Sequence, residues 1–174
     1  CFKLLREAGA NLEARAGGDP RGSTALHFAA SSGCFEILSL LLEAGVNVNV
    51  TNDGGYTPLH WAARGGLRRT ECVELLLKAG AAVNVRSETG STPFAVALRT
   101  LRRNRRMWPL FLRAGAEIPV PRPHPYLSRV YHAGGFKKYE QAHLARITAI
   151  LETPLLPPEL VRKILEFWLH AGYY

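Results

Sequence analysis

Apolar and polar positions alternate along this chain in blocks that recur. In Gly55-Tyr56-Thr57-Pro58-Leu59-His60-Trp61-Ala62-Ala63, Leu59, Ala62 and Ala63 fall at helical spacing. A second block places Cys72, Val73, Leu75, Leu76 and Leu77 on an inward face and closes at Gly80. The same pair of blocks appears earlier, as Gly22 to Ala30, Gly33, then Ile37, Leu38, Leu40, Leu41, Leu42 and Gly45. It appears again from Gly90 to Gly115, while Leu4, Leu5 and Gly9-Ala10-Asn11 read as the tail of an earlier unit that the first residue, Cys1, cuts into. Each unit predicts two short antiparallel helices. A Thr stands at the N-cap of the first, a Pro follows at the first helical position in the units of Thr57 and Thr92, and small Ala residues let the next helix come close. Gly66 is the expected end of the first helix in the second unit.

The anchor of the pattern is Thr24-Ala25-Leu26-His27, Thr57-Pro58-Leu59-His60 and Thr92-Pro93-Phe94-Ala95, at spacings of 33 and 35 residues. A period near 33 with a T-P-L-H-x-A core resembles the ankyrin repeat family. The resemblance covers roughly residues 1–118, with repeats starting near 22, 55 and 90. It implies an all-α ankyrin-repeat solenoid of helix-turn-helix repeats with β-turn loops, and non-catalytic protein–protein interaction through the turn tips and the concave helix face. Carried onto this chain, the binding positions at the tips are Arg21, Ser23, Asp53, Tyr56, Glu88 and Ser91. On the first helices they are Ser31, Ser32, Arg64 and Arg99, with Tyr56 and Arg64 foremost because Tyr and Arg are enriched at binding hot spots. Trp61 is expected between repeats with an edge available. In the family the T-P-L-H histidine satisfies backbone groups of neighbouring turns, so His27 and His60 are expected to be structural.

The period also breaks. Thr to closing Gly takes 21 residues in the first full repeat and 23 in the next two. The third repeat lacks the His and carries Arg106 where Glu36 and Glu71 stand earlier, as suits a terminal, capping unit. Pro119, Pro121, Pro123 and Pro125 mark a stiff linker over 119–125. Residues 126–174 then predict a small helical C-terminal cap: Tyr126 to Ala133, a helix carrying Phe136, Tyr139, Leu144, Ile147 and Leu151, and a third starting at Pro157-Pro158.

Charge modifies this picture locally. Net charge is +8; residues 1–60 hold 4 basic and 6 acidic residues, and 61–174 hold 18 and 8. No acid lies between Glu88 and Glu117. Arg68 and Arg69 fall in the lengthened segment of the second repeat, and Arg102, Arg103, Arg105 and Arg106 in that of the third. Equivalent positions of adjacent repeats stack, so these six predict one basic ridge. Its chemistry suits carboxylates and phosphates: an acidic or phosphorylated protein partner, with nucleic acid as an alternative ligand. A second alternative comes from Leu156-Pro157-Pro158-Glu159-Leu160-Val161-Arg162-Lys163-Ile164-Leu165, which resembles the opening of an F-box, L-P-x-E-L-x-x-x-I-L. That resemblance implies a substrate-recruiting subunit of a cullin-type ubiquitin ligase, contacting its adaptor through Leu160 and Ile164.

Catalytic patterns are missing from the sequence. There is no Gly-rich phosphate loop, no G-x-S-x-G elbow and no paired acid/base arrangement. Glu140-Gln141-Ala142-His143 is a single E-x-x-H pair, whereas a di-iron bundle needs two such pairs and two further glutamates. Cys1, Cys34 and Cys72 are odd in number and widely spaced, which predicts reduced thiols and an intracellular setting. No apolar run reaches the length of a membrane span. The expectation is therefore a binding protein that is not an enzyme, with no cofactor and no metal.

Overall fold

The computed structural model of this protein describes residues 10–17, 22–65, 69–99, 105–119, 124–151, 157, 159–161 and 163–164. It is all-α; among the described residues the only strand-like pairing is one isolated antiparallel bridge between Arg15 and Thr24. Two compact units divide at residues 117 and 118.

The first unit is built from helix pairs. They are α1 (Ala25–Ser32) with α2 (Phe35–Glu43), α3 (Pro58–Ala63) with α4 (Arg69–Lys78), and α5 (Pro93–Arg99) with a 3-10 turn, Arg105–Met107, that runs into α6 (Trp108–Arg113). The first helices stack in a row, α1 on α3 and α3 on α5, while α2 packs on α4 and α4 on the 3-10 turn. Ala29, Ala30, Ala62, Ala63 and Ala97 are all buried along that row. Leu26, Leu38, Leu41, Leu59, Leu76, Phe94, Trp108 and Phe111 fill the space between the rows. Each such side chain contributes about 1.5–3 kcal/mol. Exposed ion pairs such as Lys78–Glu74 (2.8 Å) and Arg86–Glu117 (2.8 Å) contribute about 0–1 kcal/mol. The core, not the surface charge, therefore holds the array together.

The inward stripe is narrower than the apolar run suggests. In α2 only Leu38 and Leu41 are buried, whereas Ile37 (49% exposed) and Leu40 are exposed. A step of one residue turns a helix by about 100°, so Ile37, Leu38, Leu40, Leu41 and Leu42 cannot all share one face. In α4 likewise Cys72, Val73 and Leu76 are buried and Leu75 and Leu77 only half-buried. Burial pushes the Cys72 thiol up to about 11, which makes it an inert core group.

Every second helix ends in the same way. Gly45, Gly80 and Gly115 have φ of 81°, 86° and 83°. Their N–H groups bond the carbonyls of Leu42, Leu77 and Leu112, and the following residues, Val46, Ala81 and Ala116, reach back to Leu41, Leu76 and Phe111. This is the Schellman stop, and the left-handed residue it requires explains the recurring Gly. In the second repeat, α3 ends at Ala63 with Arg64 at its C-cap; Gly66, the expected stop, lies outside the described residues.

Polar links join one repeat to the next. Thr57 caps α3 in a capping box with His60. The Thr57 N–H donates to His60 Nδ1 (3.0 Å), so Nδ1 is an acceptor and the proton sits on Nε2, which donates to the Ser91 carbonyl of the following repeat (2.9 Å). His27 repeats the arrangement, with Thr24 N–H to Nδ1 at 3.2 Å and Nε2 to the Tyr56 carbonyl at 2.9 Å. Both rings are fully buried. A second link is made by asparagine. Asn49 accepts from Ala82 N–H (2.7 Å) and donates to Gly80 O (3.4 Å). Asn84 accepts from Glu117 N–H (2.9 Å) and donates to Gly115 O (3.0 Å).

The second unit contains α7 (Pro125–His132) and α8 (Phe136–Leu151), packed on each other. His124 caps α7 by accepting from Tyr126 N–H (3.1 Å), and Gly134 and Gly135 (φ 80° and 110°) close it. Tyr126, Leu127, Val130 and Phe136 are buried between the helices. A further helical turn begins at Pro157, whose carbonyl accepts from Leu160 and Val161. Val161 is buried, and Leu160, named from the F-box resemblance, is 46% exposed. Ile164 is half-buried; Leu165 lies outside the described residues.

Two predictions follow from the buried imidazoles. His60→Ala leaves the buried Thr57 N–H without its ring acceptor and takes from the Ser91 C=O one of its two donors, the other being Ser87 N–H (3.0 Å); it is expected to lower unfolding free energy by roughly 1–3 kcal/mol in urea titration, and a loss under about 0.5 kcal/mol would contradict the role given to the ring. Burial, the largest influence, and neighbouring His27 hold His60 below its ordinary 6.5, against the opposing bond to Ser91. A folded-state value below the unfolded one means that the unfolded chain takes up the proton first. The His60 contribution is thus complete above pH 6.5 and is lost as pH falls through that value. Stability should decline from pH 7.5 to 5.5, and the His60→Ala variant should show a shallower decline.

Candidate functional site

Counting from the capping Thr shows how the repeats line up on the row of first helices. Four residues on stand Phe28, Trp61 and Val96; seven on stand Ser31, Arg64 and Arg99. These positions are one helical turn apart, so each helix presents both on one side. Stacking of α1, α3 and α5 therefore produces two parallel rows, one apolar and one polar and basic. The last two members of each row line a groove of about 510 Å³, together with Tyr56, Asn52 and Gly54 from the preceding turn.

The aromatic lining is braced from beneath. Trp61 is half-buried and meets His27 edge-on at 5.7 Å and Phe28 at 5.8 Å between ring centroids. Tyr56 meets His60 edge-on at 5.3 Å. Contacts of this geometry each contribute about 0.5–1.5 kcal/mol beyond their burial. The histidines that tie the repeats together thus also fix the rings of the groove. Phe28, 42% exposed, extends the apolar row beyond the groove.

The turn that carries Tyr56 is equally constrained. Buried Asn52 accepts from Gly54 N–H (3.2 Å) and Tyr56 N–H (2.9 Å), and its own N–H bonds the Tyr56 carbonyl (3.0 Å). Gly55 has φ 71°, and a Cβ there would lie 3.1 Å from the Glu88 backbone nitrogen of the next turn. The Tyr56 hydroxyl bonds Thr89 Oγ1 (3.2 Å). That bond and one from Ser87, helped by the positive charges of Arg99 and Arg64, hold the phenol below its ordinary 10.0 against the opposing effect of burial. Arg99 donates to Ser91 Oγ (3.2 Å). Among the described residues no carboxylate pairs with Arg64 or Arg99.

The expected binding positions separate into three groups. Tyr56, Arg64 and Arg99 meet in the groove, and Ser31, half-buried, continues the polar row. Glu88 and Asp53 are exposed at turn tips, but Asp53 is engaged by Arg15, and the Ser32 hydroxyl is turned back onto the Phe28 carbonyl (2.8 Å). Ser23 and Ser91 are buried, which corrects their assignment to an exposed tip: Ser23 faces Asn52 of the next turn, and Ser91 lies between Ser87 and Arg99. Arg21 lies outside the described residues.

Of the basic ridge, Arg68, Arg102 and Arg103 lie outside the described residues. Arg69 is half-buried at the start of α4, and Arg105 and Arg106 are exposed on the 3-10 turn that packs on α4. The asparagine ladder of Asn49 and Asn84 was not anticipated; its signal was the recurrence of Val-Asn-Val at 35 residues, a period shared with the T-P-L-H anchor. No helix among the described residues is long and apolar enough to cross a membrane.

Comparison with known proteins places this geometry. The protein phosphatase 1 regulatory subunit 12A of Mus musculus is 53% identical over 45 residues, which is 26% of this chain and 4% of that protein. The Notch-regulated ankyrin repeat-containing protein of Xenopus tropicalis is 40% identical over 47 residues, 27% of this chain and 41% of that protein. The matched segments thus span less than half the length of either relative. A family model described as ankyrin repeats, in three copies, matches residues 1–87 and 51–120. With residues 1–120 matched and the histidine-linked helix pairs repeating through them, the chain belongs to the ankyrin repeat family.

Proposed function

We propose that this chain is a non-catalytic binding module that holds a protein partner in the groove formed by Tyr56, Trp61, Arg64 and Arg99. Family membership supports protein–protein interaction in general. What supports this surface in particular is the juxtaposition of two solvent-facing arginines with two aromatic rings whose undersides are pinned by buried histidines. Trp, Tyr and Arg are the types that dominate binding energy. A surface already fixed in the free protein loses little side-chain entropy on association. One relative carries the name of a phosphatase regulatory subunit, which accords with binding rather than catalysis.

A photo-crosslinking residue placed at Trp61 should capture the partner, while the same residue at Glu74, on the exposed side of α4, should not. Equal capture at both positions, or capture at Glu74 alone, would contradict the assignment. Trp61→Ala combined with Arg64→Glu should weaken binding by at least about 30-fold, the scale of losing about 2 kcal/mol at a hot spot. Calorimetry on purified partner and variant would read this.

The F-box-like tail supports a second reading, a recruiting subunit of a cullin-type ubiquitin ligase. Its favouring observation is Leu160, a large apolar side chain left 46% exposed on a helical turn next to a buried Val161. Leu160→Ala with Ile164→Ala should abolish co-purification with a cullin adaptor. Failure of the unaltered chain to co-purify with any adaptor would remove this reading and leave the groove untouched.

A further inference from the structure

The two rows on the first helices carry a spacing, and spacing discriminates among partners. Arg64 and Arg99 occupy the same position in consecutive repeats, as do Trp61 and Val96. Helices packed side by side, as α3 and α5 are, stand about 8–10 Å apart. A partner that lies across them must repeat its chemistry at that interval. An extended strand repeats on one face at about 6.6 Å for i, i+2 or about 13 Å for i, i+4, since odd steps point the other way. A helix rises about 10.5 Å over seven residues and returns to nearly the same face. The helical step comes within about 0.5 Å of the interval, whereas the extended steps miss it by about 1.4 and 3 Å.

Charge and apolarity then specify the face. Neither arginine has a carboxylate partner among the described residues; of the two acids at the adjoining turn tips, Asp53 is engaged by Arg15, and Glu88 makes no ion pair with either arginine. One helical turn away, Phe28, Trp61 and Val96 present an apolar strip that begins beyond the groove, with Phe28 42% exposed. From the proposed groove function, on which this step rests, we infer that the partner element is an amphipathic helix laid across α1, α3 and α5. It carries Asp or Glu at i and i+7 against Arg64 and Arg99, beside an apolar stripe against Phe28, Trp61 and Val96. Two inter-repeat steps span about 20 Å, so about 14 residues make the contact. The register is polar: the next heptad position faces Ser31, not an arginine, and needs no acid there.

The test is a selection of randomised 21-residue peptides displayed on phage against the full 174-residue chain. Enriched sequences should contain acid pairs seven apart flanked by Leu, Ile or Phe, should lack internal Pro, and should become helical on binding by circular dichroism. Arg64→Glu with Arg99→Glu should weaken a selected peptide at least tenfold, and the same peptide with Lys at both acidic positions should recover that loss. Should the double reversal lower the melting temperature, Arg64→Ala with Arg99→Ala replaces it, with the same tenfold loss expected. Enriched peptides without the seven-residue acid pair, or bound in extended form, would overturn the inference. Trp61→Ala separates the two levels of the account. If it abolishes binding of such non-helical or non-acidic peptides, the groove stands and the helix falls; if neither it nor the charge reversal affects the selected peptides, the groove reading fails as well.

Discussion

The interaction on which this structure depends is the imidazole bridge between repeats. His27 and His60 each accept from the backbone of their own capping Thr and donate to a carbonyl of the following turn. One fully buried side chain closes a helix N-terminus and ties one repeat to the next. This works in one protonation state only, the neutral ring with its proton on Nε2. The third repeat, which has Ala95 in the His position, is also the last with the T-P-L-H pattern. With Ala95 in that position, the third repeat has no imidazole to continue the bridge.

Rigidity and recognition are connected through the same two rings. Trp61 rests edge-on against His27, and Tyr56 against His60. The aromatic lining of the groove is therefore fixed by the groups that stack the repeats. Arg64 and Arg99 stand one helical turn further along, at the helix ends, where they remain solvated and without a carboxylate partner among the described residues. A solenoid repeats its surface at a constant interval because each repeat contacts only its neighbours. Here that geometry turns single residue choices into rows, and rows into a preference for a partner with a matching period.

Much of this was legible in the chain because it is local. A Thr three residues before a His, a Pro at the first helical position and a Gly after an apolar run all act within one or two turns, and the helices lie where those signals put them. That Arg64 and Arg99 stand side by side also follows from counting, since each lies seven residues after a capping Thr. What could not be read depends on contacts between repeats. Ser23 and Ser91 look like tip residues until Asn52 and Arg99 close over them. Ile37 and Leu40 look like core until the inward stripe of α2 proves to be Leu38 and Leu41. Asn49 and Asn84 recur within Val-Asn-Val, but the recurrence does not name their partners; their meaning appears only when the next repeat supplies the N–H and C=O that they bridge.

The most direct test of this account is a long-range proton–nitrogen NMR spectrum of the histidine side chains in the free protein. It predicts that His27 and His60 show Nδ1 as an unprotonated acceptor and Nε2 as protonated, with the Nε2 proton protected from exchange. A proton on Nδ1, or rings that interconvert freely between the two forms, would contradict it, because neither could hold the repeats together in the way the groove requires.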